Sequence, residues 1–148
     1  MDKPSVLVVD DNDATVTLVT ALLQREFFVE PATDGAEAIE KLKTKQYAAL
    51  LLDLRMPHLD GFGVLEFLEA NHPAMLPRVL VVTAALGESD VARARAYGIC
   101  DVVSKPFDIE TLLAAVKQCV EPDDARPMGG FLSSGMILLL ADVLRSRF

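Results

Sequence analysis

Three short runs of this sequence are apolar with no alternation between apolar and polar residues. They lie within Ser5–Val9, Ala48–Leu52 and Arg78–Val82, and each contains four or five consecutive apolar residues. A strand of this length without a polar side is buried on both faces, which is typical of parallel sheets covered by helices. The runs therefore limit the chain to an α/β fold with a parallel sheet at its centre.

The segments that separate these runs have helical spacing of their apolar residues. Two weaker strand segments, Phe28–Glu30 and Asp101–Ser104, also occur. Helices are predicted after Asn12, over Ala36–Lys45, after Asp60, over Glu88–Tyr97 and after Asp108. The helix over Glu88–Tyr97 has few large apolar residues, so we expect it to be loosely held. The chain thus predicts five successive β–α units with right-handed crossovers and helices on both faces of the sheet.

The composition changes after Val120, and this predicts three parts of the chain. Residues 1–120 carry the five units. Residues 121–130, EPDDARPMGG, contain two prolines, two glycines and three acids, which is typical of a linker. Residues 131–148 form an apolar tail that we predict to be helical but too short to span a membrane. We expect this tail to pack on its own domain or a second copy; a docking helix or a membrane-surface helix is the alternative.

The overall charge indicates which partners are excluded, and the cysteines indicate the redox compartment of the protein. A formal charge of −8 argues against binding nucleic acid through a basic surface. Cys100 and Cys119 show no CxxC or metal-ligand spacing, and we predict two buried or half-buried thiols in a reducing compartment. The first residues do not form a signal peptide, so a cytoplasmic location is expected.

Polar residues follow four of the predicted strands at the point where each strand ends. They are Asp10 and Asp11, Asp53, Thr83 and Lys105. The carboxyl ends of parallel strands meet in one crevice of an open α/β sheet, so we expect these side chains to lie together.

The residue types at these ends point to phosphoryl transfer. Three crowded carboxylates raise one another's pKa values unless a cation offsets their charge, and such hard oxygen ligands suit Mg²⁺. A lysine opposite them supplies a positive charge for a phosphoryl oxygen, and a threonine hydroxyl adds a hydrogen-bond donor. The combination predicts transfer of a phosphoryl group to a carboxylate, with Asp53 at its centre.

The motifs also resemble a known family. VLVVDDND, LLLDLRMPHLDG, VLVVTA and DVVSKPF, in that order and spacing, are similar to the receiver domain of two-component response regulators. The resemblance covers about residues 4–120. It implies a flavodoxin-like, doubly wound (βα)5 fold with a five-stranded parallel sheet of order 2-1-3-4-5. It also implies a cis peptide bond between Lys105 and Pro106.

Carried over residue by residue, the resemblance makes Asp53 the phosphoacceptor. Thr83 would be the switch hydroxyl, and Lys105 would bind the phosphoryl group. The implied Mg²⁺ ligands are Asp10, Asp11, Asp53 and the backbone carbonyl of Arg55. Arg55 and Ala85 border the site and are expected to tune the lifetime of the phosphoryl group.

One position departs from the family pattern. Receivers usually carry Tyr or Phe three residues before the lysine, where the ring moves inward together with the threonine, but this chain has Val102. The phosphorylation chemistry does not depend on that ring. The route by which the signal reaches the fourth helix and fifth strand is therefore open.

The resemblance implies a stand-alone receiver that is not an enzyme in its own right. A histidine kinase or phosphotransfer protein would phosphorylate Asp53, and the switched surface would bind a downstream protein or a second copy through the fourth helix and fifth strand or the tail. One alternative is a phosphatase of the haloacid-dehalogenase type with Asp11 as nucleophile, because Asp11–Thr15 fits the DxDxT pattern. Another is a degenerate receiver that acts only as a scaffold.

Overall fold

A five-stranded parallel sheet forms the centre of the computed structural model, which describes residues 3–56, 58–84 and 87–121. Its strands are β1 (Ser5–Val9), β2 (Phe28–Ala32), β3 (Ala49–Leu52), β4 (Val79–Thr83) and β5 (Asp101–Ser104). They are arranged in the order β2-β1-β3-β4-β5, and every neighbouring pair is parallel. The predicted fold class and strand order are therefore confirmed.

Five α-helices alternate with the strands. They are α1 (Asp13–Leu23), α2 (Gly35–Thr44), α3 (Gly61–Asn71), α4 (Glu88–Arg95) and α5 (Ile109–Val120). Four of them begin with a side-chain cap that accepts a hydrogen bond from the first turn, supplied by Asn12, Asp34, Asp60 and Asp108. The fourth helix, α4, follows Gly87 and has no such cap.

Side chains of each central strand alternate between two separate cores, which explains why these runs are apolar throughout. Val6 and Val8 of β1 pack beneath α1 and α5, whereas Leu7 and Val9 pack on the opposite face with α2 and α3. Burial on both faces leaves no strand position in β1, β3 or β4 for an exposed polar side chain. Polar side chains are therefore expected at the ends of these strands and not within them.

The local predictions needed three adjustments. A 3-10 helix over Pro73–Arg78 connects α3 to β4 and had not been predicted. The strand β2 runs to Ala32 and includes Pro31, which the edge position of β2 permits because one side of an edge strand needs no N–H donor. The helix α4 ends at Arg95, two residues before the predicted end.

The prediction of two free thiols was wrong. Cys100, just before β5, and Cys119, in the last turn of α5, form a disulfide with a Cα–Cα distance of 5.7 Å. The residues are nineteen positions apart in sequence, and only the packing of α5 beside β5 brings them together. Cysteine spacing alone does not reveal a pairing of this kind.

Some predicted features lie outside the described residues. These are the linker after Glu121, the tail 131–148, and Ala85 beside the site. Within the described ranges, no helix is both long and apolar enough to cross a membrane.

Candidate functional site

Strand register places Asp10 and Asp53 side by side. Val9, the last residue of β1, pairs with Leu52, the last residue of β3, so the next residue of each strand is an aspartate at the same edge of the sheet. The backbone N–H of Asp53 donates to the carbonyl of Val9 at 3.0 Å and holds this register past the end of the strands.

The other half of the site comes from β4 and β5. Thr83 is the last residue of β4 and pairs with Ser104, so Lys105 follows at the same edge. The backbone N–H of Lys105 donates to the carbonyl of Thr83 at 2.8 Å. The peptide bond between Lys105 and Pro106 is cis, as the resemblance implied.

The two carboxylate oxygens of Asp53 have different surroundings. Its Oδ1 accepts hydrogen bonds from the Thr83 hydroxyl at 2.9 Å and from the backbone N–H of Arg55 at 3.2 Å. Its Oδ2 faces the ammonium group of Lys105 at 3.5 Å. Oδ2 is therefore the less tightly bound of the two oxygens.

Asp10 and Lys105 form the tightest ion pair of the site. The Lys105 Nζ lies 2.7 Å from Oδ2 of Asp10, while Oδ1 of Asp10 accepts from the backbone N–H of Asn12 at 2.9 Å. The Asn12 side chain caps α1 by accepting from the backbone N–H of Thr15. The same turn thus starts α1 and orients the carboxylate of Asp10.

Burial makes the charges of this site costly. Asp10, Asp53 and Thr83 are 3%, 6% and 2% exposed, and they are the buried polar residues of the described part of the chain. Burial raises the pKa of Asp53 above its usual value, and the nearby charge of Asp10 adds to this, against the hydrogen bonds from Arg55 and Thr83 and the charge of Lys105. Burial opposes the charged form of Lys105, but its hydrogen bond to Asp10 and the charges of Asp53 and Asp10 outweigh this effect and raise its pKa.

The acidic residues fit a divalent metal ion. Oxygen atoms of Asp10, Asp11 and Asp53 lie within 4.8 Å of one another, and Asp11 is exposed at the mouth of the group. One lysine cannot balance three carboxylates, so a hard cation with oxygen ligands matches both the geometry and the remaining charge. All five side chains predicted for the site are thus brought together.

Three features around the site were not predicted from the sequence. The Arg55 side chain leaves the site and pairs with Asp90 of α4. The guanidinium of Arg93 stacks on the ring of Phe62, 3.9 Å from its centre. Gly61 lies against the backbone of Asp53 and Leu54, where a side chain does not fit. Of these contacts, only the Arg55–Asp90 pair had a signal in the sequence, which is the acidic first turn of α4.

Comparison with protein families identifies the chain. The model of the response regulator receiver domain matches residues 6–117, which include every strand end of the site. The chain belongs to the response regulator receiver family. Receiver domains act in two-component signal transduction, and they are generally not conventional enzymes.

The chain matches one part of curated relatives that are much longer. It is 34% identical over 115 residues to hybrid signal transduction histidine kinase D of Dictyostelium discoideum. This match covers 78% of this chain and 7% of that protein. It is 31% identical over 120 residues to the transcriptional regulatory protein ZraR of Escherichia coli O157:H7, over 80% of this chain and 27% of that protein. The receiver thus corresponds to a small share of either relative.

Solved receivers share the fold. The receiver domain of the Francisella response regulator 1452 superimposes with a TM-score of 0.73 at 26% identity, covering 81% of this chain and 98% of that one.

In the present receiver, Val102 is half-buried and packs, together with Tyr97, against the core on the α2–α3 side. Residue 102, three positions before Lys105, is a valine, where receivers usually carry Tyr or Phe.

Proposed function

We propose that this receiver accepts a phosphoryl group on Asp53 from a histidine kinase or a phosphotransfer protein, with Mg²⁺ bound beside it, and that phosphorylation changes a protein-binding surface. The observation that carries the proposal is the setting of Asp53. Its Oδ1 is held by Thr83 and Arg55, and its Oδ2 faces Lys105. One of its carboxylate oxygens lies within 4.8 Å of oxygens of Asp10 and Asp11.

The transfer step follows from this geometry. Oδ2 of Asp53 attacks the phosphorus atom of a phosphohistidine, a P–O bond forms, the P–N bond breaks, and the freed imidazole takes up a proton. Lys105 stands within reach of the incoming phosphoryl oxygens and stabilises their charge as the transfer proceeds. Hydrolysis of the acyl phosphate by water returns Asp53 and releases inorganic phosphate.

The proposed metal ligands are Asp10, Asp11, Asp53 and the backbone carbonyl of Arg55. When bound, Mg²⁺ neutralises charge on the carboxylates and on the transferred group. The residues of the chain position the carboxylates. Asn12 and Lys105 orient Asp10, and the β1–β3 register sets its distance from Asp53.

The switch begins at Thr83. Its hydroxyl now donates to Oδ1 of Asp53, and a phosphoryl group on Asp53 offers new, more strongly charged acceptors. A shift of this hydroxyl would disturb the end of β4 and the adjoining start of α4, where a downstream protein or a second copy would bind. The tail 131–148 remains a further candidate surface, and a cytoplasmic location remains an expectation.

Intact mass measurement tests the proposal. The full chain is incubated with Mg²⁺ and acetyl phosphate, beside Asp53→Asn and a Mg²⁺-free sample. We expect the wild type alone to gain one phosphoryl group, and only with Mg²⁺. A phosphoryl gain of the same size in Asp53→Asn would contradict the assignment of Asp53.

The same experiment separates the two alternatives. Release of free phosphate that continues in Asp53→Asn but stops in Asp11→Asn would indicate the phosphatase. The structure gives Asp53, not the exposed Asp11, the threonine and lysine contacts that such chemistry needs. Mg²⁺ binding without any adduct would indicate a receiver that acts as a scaffold.

A further inference from the structure

The helix α4 is weakly attached to the rest of the domain. Of its residues Glu88–Arg95, only Ala94 is buried, and its first turn has no side-chain cap. A helix with so little buried apolar surface opens at a lower free energy than the core elements. Its attachment therefore depends on the side-chain contacts that it makes with its neighbours.

Three contacts hold α4 through charged side chains. Asp90 pairs with Arg55 at 3.0 Å, Arg93 stacks on Phe62 at the start of α3, and Arg95 pairs with Asp101 at 3.4 Å. Only the first of these reaches the loop that carries the phosphoacceptor.

Arg55 connects the site and α4 within one residue. Its backbone N–H donates to Oδ1 of Asp53, and its guanidinium binds Oδ2 of Asp90. The Arg55 side chain is 66% exposed and Asp90 is 30% exposed, so the pair is a solvent-screened one of small net strength. Both residues line an open cleft of about 530 Å³, which leaves the arginine free to change partner.

We propose that the Arg55–Asp90 ion pair is the element through which phosphorylation of Asp53 loosens α4. Phosphorylation replaces the single charge of the Asp53 carboxylate with a phosphoryl group that carries up to about two negative charges, two residues from Arg55. Charge-assisted bonds from arginine to phosphate are stronger than a screened surface pair, so the guanidinium turns from Asp90 to the phosphoryl group. Of its three contacts through charged side chains, α4 then keeps those of Arg93 and Arg95.

This coupling supplies a route from the phosphorylated Asp53 to α4 that Val102 does not supply. The half-buried valine packs against the core and has no ring that could swing between two positions. The ion pair needs no such ring, because it transmits the change in charge directly from the loop after β3 to the first turn of α4. The inference rests on phosphorylation of Asp53 as proposed above.

Hydrogen exchange of the full chain tests the inference. Exchange of amides in residues 87–98 is followed by mass spectrometry with Mg²⁺, before and after acetyl phosphate, and the phosphoryl content is read by intact mass in the same samples. In the wild type we expect phosphorylation to accelerate exchange about two- to fivefold, the range that a surface pair of this kind supports.

Two variants separate the ion pair from general loosening of the helix. Asp90→Asn leaves the loop after β3 unchanged, and its exchange should already be fast without phosphorylation and gain nothing from it. The matched control is Arg95→Gln, which removes the pair with Asp101. It should also exchange faster at the start but keep the two- to fivefold response.

A charge reversal gives the sharpest outcome. In Arg55→Asp with Asp90→Arg the pair can reform, but the phosphoryl group now repels residue 55, so phosphorylation should not release α4. The inference is overturned if Asp90→Asn or the reversed pair responds as the wild type does, or if a fully phosphorylated wild type shows no acceleration. A failure of the proposed function looks different, because no sample would then gain a phosphoryl group.

Discussion

At the scale of single residues, the site is built from charges that the fold holds at a cost. Asp53 is buried beside Asp10, with one lysine to offset both carboxylates. Burial raises the pKa of Asp53, which means that its charged form is less stable in the folded protein than in the unfolded chain. Residues that serve function in this way commonly lower stability.

Neutralising Asp53 should therefore stabilise the metal-free protein. We expect Asp53→Asn to raise the free energy of unfolding, because the neutral amide removes a buried charge that burial and the charge of Asp10 both disfavour. Urea unfolding in the presence of a chelator measures this. Adding Mg²⁺ should stabilise the wild type more than the variant, and a variant less stable than the metal-free wild type would contradict the expectation.

The same pKa shift predicts a pH dependence. The folded state keeps the Asp53 proton to a higher pH than the unfolded chain, so it binds more protons between the usual aspartate value of 3.8 and the raised value. The contribution of Asp53 to the free energy of unfolding therefore falls as pH rises through that window and is constant above it. The difference between wild type and Asp53→Asn in unfolding experiments from pH 3.5 to 7.5 isolates this contribution.

Gly61 fixes how closely α3 approaches the phosphoacceptor. A Cβ atom at this position would lie 2.5 Å from the carbonyl oxygen of Asp53 and 2.7 Å from the Cα of Leu54, both of them backbone atoms. Gly61→Ala should therefore lower the free energy of unfolding by about 1–3 kcal/mol and reduce the rate of phosphorylation. Urea unfolding and the time course of intact mass measure the two effects.

The matched control for that variant lies on the same helix. A Cβ atom at Gly63 would meet only the side-chain end of Leu59, which can move. Gly63→Ala should change the free energy of unfolding by less than about 1 kcal/mol and leave phosphorylation intact. Equal losses in both variants would show that Gly61 has no special role.

At the scale of elements, the end of α5 is fixed by a disulfide and by two hydrogen bonds. Cys119 is joined to Cys100 before β5, and the guanidinium of Arg78 donates to the carbonyls of Val120 and Ala48 at 2.6 and 3.2 Å. The first helix, α1, also packs against α5. The contrast with α4, which buries one residue, makes α4 the element most able to move.

Reduction of the disulfide should measurably destabilise the protein. Its ends are nineteen residues apart, and a loop of this length corresponds to a stabilisation of up to about 3 kcal/mol in the chain-entropy account. Thermal unfolding with and without a reductant tests this, and Cys100→Ser should resemble the reduced wild type and show no response to the reductant. Two alkylatable thiols in the native, unreduced protein would refute the pairing.

At the scale of the whole molecule, the family match ends at residue 117. The described members of the two cores lie between Val6 and Val120. The division into residues 1–120, a linker at 121–130 and an apolar tail at 131–148 remains a prediction.

Removal of the tail tests that division. A chain of residues 1–121 should keep the unfolding free energy of the full chain to within about 1 kcal/mol and should still gain a phosphoryl group, because the family match and the described members of both cores lie within it. Sedimentation velocity of both chains reports whether the tail joins two copies. A truncated chain that fails to fold would show that the tail belongs to the domain.

The sequence by itself determined the fold class and the candidate site residues. Short uninterrupted apolar runs are typical of strands covered on both faces, so a polar residue directly after such a run is predicted to lie at the end of a strand. Asp10, Asp53 and Thr83 could therefore be selected from local pattern, and Lys105 follows the weaker strand segment Asp101–Ser104. The strand order followed from the resemblance, because the residue pattern of one strand does not specify which strand lies beside it in the sheet.

Only the tertiary structure decided the features that depend on which elements become neighbours. The Cys100–Cys119 disulfide, the Arg55–Asp90 pair and the close contact of Gly61 with Asp53 each join segments that are apart in sequence. A local pattern specifies which face of an element is buried, but it does not specify what packs on that face or at what distance. That is settled by the simultaneous packing of all elements around the two cores.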